Sequence, residues 1–478
     1  MVYDVAIIGG GPAGYTAAIR AGQNGLKVAL LEREDKLGGT CLHWGCIPTK
    51  AMLFNAEVYE LVEHAEEYGI EGLGKPTLNW GKVLERKNGI INKHVKGLDF
   101  LMRKNKVTVV RGQAKLTGPA KDGVHTVAVD KAANGVGEKT EVRAKSVVIA
   151  TGSDARMLPG LEIGPDGASH ILTNNEILLI PAVPKSMVII GSGAVGVEFG
   201  SIFRSFGAEI TIVEYLPRIV PAEDEEVSKE LQRTFRKRGI DVHTNAKVEK
   251  VEKSAAGAKV TWTAADGKQV VKEAEKVLVA VGRAPRTDGI GLENLPGIQL
   301  EKGFIKTDEW MATGVEGVYA IGDIVAGLPQ LAHVGAMCGI VVASKLAGKY
   351  ARPVKRNRIP ACTYTEPQIG SVGLTEAAAR DKGFDVKVGK FPFSANSKAS
   401  IINAHDGFVK VVTDAKYGEV LGVHIIGASA TELVAEAVVA LELEATLEEL
   451  MFTIHAHPTL AEAMLDGFGA VEGLAINV

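Results

Sequence analysis

Cys41 and Cys46 are the residues in this chain best suited to do chemistry. Four residues separate them in the run Gly38-Gly39-Thr40-Cys41-Leu42-His43-Trp44-Gly45-Cys46-Ile47-Pro48-Thr49-Lys50. Four cysteines in 478 residues are too few for a disulfide scaffold. In a reducing compartment such a pair is catalytic or metal-binding rather than structural. A metal site needs further ligands at short spacing, and Cys338 and Cys362 are far away in the sequence. No metal is therefore expected, and Cys338 and Cys362 read as small buried residues. A glycine-rich fingerprint lies just before the pair and a second lies near residue 191. A dithiol beside one bound dinucleotide, with a site for another, is a layout for moving electrons between thiols and a nicotinamide.

The elements that must position the pair are written twice. An apolar strand from Asp4 to Ile8 leads into Gly9-Gly10-Gly11-Pro12-Ala13-Gly14, a helix through Ala17, Ala18 and Ala21, and a strand ending at Glu32. Met187 to Ile190 leads likewise into Gly191-Ser192-Gly193-Ala194-Val195-Gly196, a helix, and a strand ending at Glu214. Each acid lies 18 residues past its third glycine. One GxGxxG is weak evidence. Two copies, each between strand and helix with an acid at matching distance, point to dinucleotide binding. The glycines make the turn, admit the pyrophosphate and pack helix on strand, and the diphosphate sits on the helix N-terminus. The carboxylate is expected to hold the adenosine ribose hydroxyls. It would repel a 2′-phosphate, so Glu214 favours NAD over NADP.

Each copy continues into a stretch with β-meander signals, 107–145 and 247–276, and closes on a Gly-ended strand, at Ala150-Thr151-Gly152 and Ala280-Val281-Gly282. The tails Ser153-Asp154-Ala155-Arg156 and Arg283-Ala284-Pro285-Arg286 correspond as well. A further Gly-ended strand, Val318 to Gly322, presents Asp323, which could bind a polyol chain or cap a following helix. Beyond about residue 350, alternating strands (408–413 and 419–426) and an amphipathic helix (431–444) suggest an α+β domain.

A chain of this length holds more than one hydrophobic core. A net charge of −3 with no basic run argues against nucleic-acid or membrane-surface partners. No apolar stretch approaches the roughly 18 residues of a membrane span, and there is no signal-peptide pattern. A soluble, cytoplasmic protein is expected.

Together with Val281-Gly282-Arg283, Ala320-Ile321-Gly322-Asp323 and His455-Ala456-His457-Pro458-Thr459, these motifs closely resemble the flavin-dependent pyridine nucleotide–disulfide oxidoreductases over essentially the whole length. The resemblance implies an α/β fold: two Rossmann-like domains binding FAD (1–149) and NAD (150–282), a central domain completing the FAD site (283–350), and an α+β interface domain (351–478) that makes a homodimer. Gly9, Gly11, Gly14, Glu32, Lys50, Ala114, Thr151, Gly152, Ser153 and Asp323 would hold FAD, with Gln330, Leu331, Ala332 and His333 along the flavin. Gly191, Gly193, Gly196, Glu214, Val248 and Gly282 would serve NAD, and Glu198 would pair with Lys50 near the flavin.

The resemblance is greatest to members that oxidise protein-bound dihydrolipoamide and reduce NAD+. Cys41 would be the interchange thiol and Cys46 the thiol beside the flavin. His457, oriented by Glu462, would be the base, contributed from the other subunit. The partners implied are lipoyl-domain proteins of 2-oxo-acid dehydrogenase or glycine-cleavage complexes. Alternatives are a disulfide reductase of the glutathione-reductase type, which Glu214 opposes, and a largely structural flavoprotein subunit. Close relatives usually read Leu-Asn-Val-Gly between the cysteines, where this chain has Leu42-His43-Trp44-Gly45. Cys338 stands where they tend to carry an acid.

Overall fold

In the computed structural model residues 1–161, 163, 169–254 and 256–477 are described; the remaining positions of the expected 150–282 and 351–478 domains lie outside the described residues. The chain forms two compact units. One holds Met1–Ala51, Lys82–Arg156 and Arg283–Val354; the other holds Met52–Gly81, Met157–Gly282 and Lys355–Val478.

The first unit is built on a seven-stranded sheet. Val2–Ile8 lies at its centre, parallel to Val28–Glu32 on one side and to Thr140–Ile149 on the other. Thr108–Arg111 extends the parallel side. Val318–Ala320 joins Thr140–Ile149 in parallel, while His125–Asp130 and Gln113–Leu116 continue the sheet antiparallel. The meander expected over 107–145 is thus fused to the main sheet, because Thr140–Ile149 is long enough to serve both. Val5 to Ile8 and all of Val28–Glu32 are buried, as strands covered on both faces must be. Helix Pro12–Gln23 packs on helix Ala332–Leu346. The approach is close: a Cβ at Gly339 would stand 2.7 Å from Ala13 O, and one at Gly335 would stand 3.0 Å from the Ala13 Cβ. Cys338 lies fully buried on this helix. A thiol tolerates such a place, whereas a carboxylate would need a compensating partner.

The second unit contains the second copy. Its parallel sheet runs in the order Asp241–His243, Glu209–Val213, Ser186–Ile190, Lys276–Val279, Ile171–Leu172. The first four repeat the strand order of the first copy. Here the meander forms a separate antiparallel sheet of Lys247–Lys253, Ala258–Thr263 and Gln269–Ala274, its inner face closed by the fully buried Trp262.

The C-terminal part is an antiparallel sheet, in the order Ala361–Thr363, Gln368–Gly373, Val420–Gly427, Phe408–Asp414, Val386–Pro392. Every residue of Phe408–Asp414 and Val420–Gly427 is buried. Helices Ala430–Glu442 and Glu462–Ala470 cover one side, and helix Glu225–Lys237 packs against Val420–Gly427. The polar residues survive burial by pairing. Lys410 Nζ lies 3.0 Å from Asp224 Oδ1, 2.8 Å from Glu226 Oε2 and 2.9 Å from Glu376 Oε2. Among the described residues no helix is long and apolar enough to cross a membrane.

Candidate active site

The carboxyl ends of the parallel strands, where open α/β sheets bind ligands, gather the expected residues of each unit. In the first, Ile8 leads into Gly9–Gly14, Val28–Glu32 ends in Glu32, Ile149 leads to Thr151–Ser153, and Ala320 leads to Asp323. Gly9 has φ 109, and a Cβ there would meet Ala150 O at 2.3 Å; one at Gly14 would meet Gly9 O at 1.8 Å. These two glycines are required by backbone-to-backbone approach. Gly11 caps helix Pro12–Gln23 without any side-chain hydrogen bond. The first-turn N–H groups there are left for an anion.

The second copy repeats this. A Cβ at Gly191 would meet Ala280 O at 2.5 Å and one at Gly196 would meet Gly191 O at 2.0 Å, while Gly193 and Gly282 face open space. Gly193 likewise caps Ala194–Ser205 with no side-chain bond. Each copy therefore offers the glycine cradle and uncapped helix end that a dinucleotide pyrophosphate requires.

The two acids do more than their expected ribose contact. Glu32 Oε2 accepts the Gly10 N–H at 2.6 Å and Oε1 the Glu34 N–H at 2.9 Å. Glu214 Oε2 accepts Ser192 N–H at 2.8 Å and the Ser192 hydroxyl at 2.6 Å, while Oε1 accepts Leu216 N–H at 2.8 Å. Each carboxylate fastens its glycine loop to the second strand and retains acceptor capacity, since it has about four lone-pair sites.

Asp323 caps no long helix. Gly322–Ile324 is a single 3-10 turn, and the next helix begins only at Ala332. Its Oδ2 accepts the Ser153 hydroxyl at 2.5 Å. Gln330 Nε2 donates to Asp323 O at 3.4 Å, tying the 330–333 segment to the same turn. The two corresponding tails pair with each other, Ser153–Ala155 antiparallel to Arg283–Pro285. Arg283 donates from Nε to the Ser153 hydroxyl at 2.7 Å and from Nη2 to Ser153 O at 2.6 Å. Burial weighs against its charge, and Asp323 compensates. Arg283 stood in the family motif and in a tail corresponding to Ser153–Arg156, but was not among the expected ligand residues. Ala114 is buried in strand Gln113–Leu116, and Val248 lies in Lys247–Lys253.

Cys41 belongs to the five-residue helix Gly39–His43, and Cys46 opens helix Cys46–Glu63, which also carries Lys50. Both are thiols here, in hydrogen-bond contact. The bonded Cys46 sulfur and burial push the Cys41 thiol well above the usual range, with the Lys50 charge acting the other way. Proton loss from Cys41 is thereby disfavoured while the pair is in its dithiol form.

His457 and Glu462 lie in the second unit. His457 Nδ1 is 2.9 Å from Glu462 Oε1, and Thr459 N–H donates to Oε2 at 2.8 Å. That backbone bond, followed by the imidazole, holds the Glu462 carboxyl below the ordinary range. The His457 side chain is 71% exposed, so its other nitrogen is open to an incoming group. His455 instead bonds Glu436 Oε1 at 2.9 Å and is a neighbour to the pair. Glu198, in the same unit, is buried and accepts the Tyr364 N–H at 3.0 Å.

Two dinucleotide cradles, a thiol pair beside the first, and a carboxylate-held imidazole define a class of redox protein that couples thiols to nucleotide cofactors. The chain belongs to the pyridine nucleotide-disulphide oxidoreductase family, whose pattern matches residues 3–339, with the family's dimerisation domain matching residues 359–467. The cofactors of this family are FAD and NAD(H). The chain is 44% identical to a dihydrolipoyl dehydrogenase of Zymomonas mobilis and 44% identical to one of Bacillus subtilis, with 99% of each chain covered in both cases. The solved structure of LpdA from Mycobacterium tuberculosis matches with a TM-score of 0.87 at 28% identity, covering 97% of this chain and 98% of that one.

Proposed function

We propose that the protein oxidises a protein-bound dihydrolipoyl group to its cyclic disulfide and reduces NAD+ to NADH. The observation that carries this reading is the hydrogen-bonded Cys41–Cys46 pair, in one unit with the first dinucleotide cradle. Full-length similarity to dihydrolipoyl dehydrogenases supports the substrate, and Glu214 supports NAD. Bound FAD would carry the electron pair from the thiols to the nicotinamide.

The chain's own residues supply position and proton transfer. His457 Nε2 takes the proton of a substrate thiol, with Glu462 fixing the ring and stabilising imidazolium. The thiolate forms a bond to Cys41 Sγ as the Cys41–Cys46 bond breaks, and Cys46 leaves as a thiolate. The second substrate thiol then attacks the substrate sulfur of the mixed disulfide and releases Cys41. The substrate loses two electrons and two protons; NAD+ takes the electrons and one proton as hydride.

Gly9, Gly11, Gly14, Glu32, Lys50, Ala114, Thr151, Gly152, Ser153 and Asp323 would hold FAD, with Gln330–His333 along the flavin. Gly191, Gly193, Gly196, Glu214, Val248 and Gly282 would hold NAD. The protein is a homodimer of the family type, and in this reading His457 and Glu462 complete the partner's site. The reading also places it in the cytoplasm, serving a lipoyl domain on a separate protein of a 2-oxo-acid dehydrogenase or glycine-cleavage complex. The test is a purified-enzyme assay. NADH should form from dihydrolipoamide and NAD+, with little turnover on NADP+. NADPH oxidation by glutathione disulfide without dihydrolipoamide activity would instead establish the glutathione-reductase alternative.

A further inference from the structure

The segment joining the first dinucleotide loop to the thiol pair contains a bond that the chemistry above does not use. His43 ends the helix Gly39–His43, and its Nε2 lies 2.9 Å from Leu37 O. A carbonyl only accepts, so the imidazole donates through Nε2–H. The bond closes over a turn made by Gly38 (φ 125) and Gly39 (φ 57). That turn is in turn seated on the dinucleotide loop. Gly38 N–H donates to Gly10 O at 2.9 Å, and a Cβ at Gly39 would stand 2.6 Å from Gly11 Cα. Leu37 is fully buried, and a Cβ at Gly10 would meet its Cδ2 at 2.6 Å. The helix bearing Cys41 has five residues and no side-chain cap at its start. One turn of helix does not sustain itself. At its far end Trp44 N–H donates to Thr40 O at 2.8 Å, and the indole lies 5.4 Å from the His43 ring, tilted by 51°.

We propose that His43 is a positioning residue for the thiol pair: its bond to Leu37 O clamps the one-turn helix bearing Cys41 onto the dinucleotide loop, keeps the two sulfurs within bonding reach, and so favours disulfide over dithiol. The proposal rests on Cys41 and Cys46 being the redox pair. A disulfide tolerates only a narrow range of geometry, with Cα atoms about 4.4–6.8 Å apart. A turn free to swing spends time outside that range, which lowers the effective concentration of one sulfur at the other. In the half-reaction the two thiols lose two electrons and two protons as the S–S bond forms, and a dithiothreitol couple in solution exchanges both.

The experiment equilibrates the holoenzyme with dithiothreitol couples of graded ratio, alkylates it, and counts the modified thiols on the peptide spanning Cys41 and Cys46 by mass spectrometry. His43→Leu should move the equilibrium about tenfold toward the dithiol, which is about 30 mV. His43→Gln, whose amide donor sits as many bonds from the backbone as Nε2, should return close to the wild-type ratio. Trp44→Phe leaves the clamp intact and should also match wild type. A wild-type ratio in His43→Leu, or a His43→Gln shift as large as that of Leu, overturns the proposal. Should the Leu variant fail to fold, His43→Asn, with its donor one bond nearer the backbone, takes its place against Gln. Failure of the wild-type pair to interconvert at all would instead sink the redox assignment of the cysteines.

Discussion

Glu32 and Glu214 each place one oxygen on the second residue of their own loop and the other on the N–H two residues further on. Spacing leads one to expect such acids to be ribose ligands; in the structure they also lock the glycine loop of their own copy. Arg283 acts by the same logic. It grips Ser153 through both hydroxyl and carbonyl, and Ser153 in turn orients Asp323. Hydrogen bonds to charged groups contribute about 1.5–3 kcal/mol each. Arg283→Met should therefore weaken FAD retention by at least roughly tenfold, read as flavin released on gel filtration and as the FAD dissociation constant of the apoenzyme. Unchanged retention would show that Asp323 needs no such support. At His457 the carboxylate is held ionised by Thr459 N–H and by the ring. His457→Gln should lower turnover about 10²–10⁴-fold while leaving bound flavin unaltered.

Among the elements, the helix pair Pro12–Gln23 and Ala332–Leu346 depends on the absence of side chains. Gly339→Ala sets a methyl 2.7 Å from Ala13 O and 3.0 Å from Ala17 N. Overpacking of this kind costs about 1–3 kcal/mol, and the cost falls on the helix that follows the first glycine loop. A lowered thermal midpoint and weaker FAD binding are expected together. In the second unit, the segment after Glu214 returns to the dinucleotide loop through Val220 N–H to Ser192 O at 3.0 Å. It then reaches the C-terminal sheet through Glu223 and Asp224. Asp224, Glu226 and Glu376 surround Lys410, while burial pushes Glu223 up to about 7, against a bond to Ser371 and with Asp224 adding to the rise. The folded state thus binds a proton at Glu223 that the unfolded chain has already lost. Its stabilising effect is complete below the ordinary glutamate range and fades as pH rises toward 7. Glu223→Gln should remove that slope, so that urea unfolding between about pH 4.3 and 7 becomes flatter than in wild type. An unchanged slope would place the proton elsewhere.

At the scale of the molecule, Cys41 and Cys46 belong to one compact unit and His457 and Glu462 to the other. A shared-subunit site makes a clean prediction. Cys46→Ser and His457→Gln homodimers should each be nearly inactive, yet dissociating and reassociating an equal mixture should restore about a quarter of wild-type activity. Half the dimers would then be mixed, each with one intact site of two. No recovery would mean that each chain supplies its own base.

Much of this was legible in the residues, because a dinucleotide loop is a local device. Gly9, Gly14, Gly191 and Gly196 are dictated by backbone contacts within a strand–turn–helix, so spacing alone reveals both the loops and their duplication. The thiol pair is local for the same reason. Tertiary structure decided what depends on neighbours distant in sequence. Both central C-terminal strands are buried with helix Glu225–Lys237 packed against Val420–Gly427 and with Asp224, Glu226 and Glu376 neutralising Lys410. Asp323 faces Ser153 rather than capping a helix, and Arg283 reaches Ser153 only because its strand pairs with a tail far back in the chain. Periodicity records which side of an element is apolar, but the partner that covers the other side is set by how the whole chain folds around it.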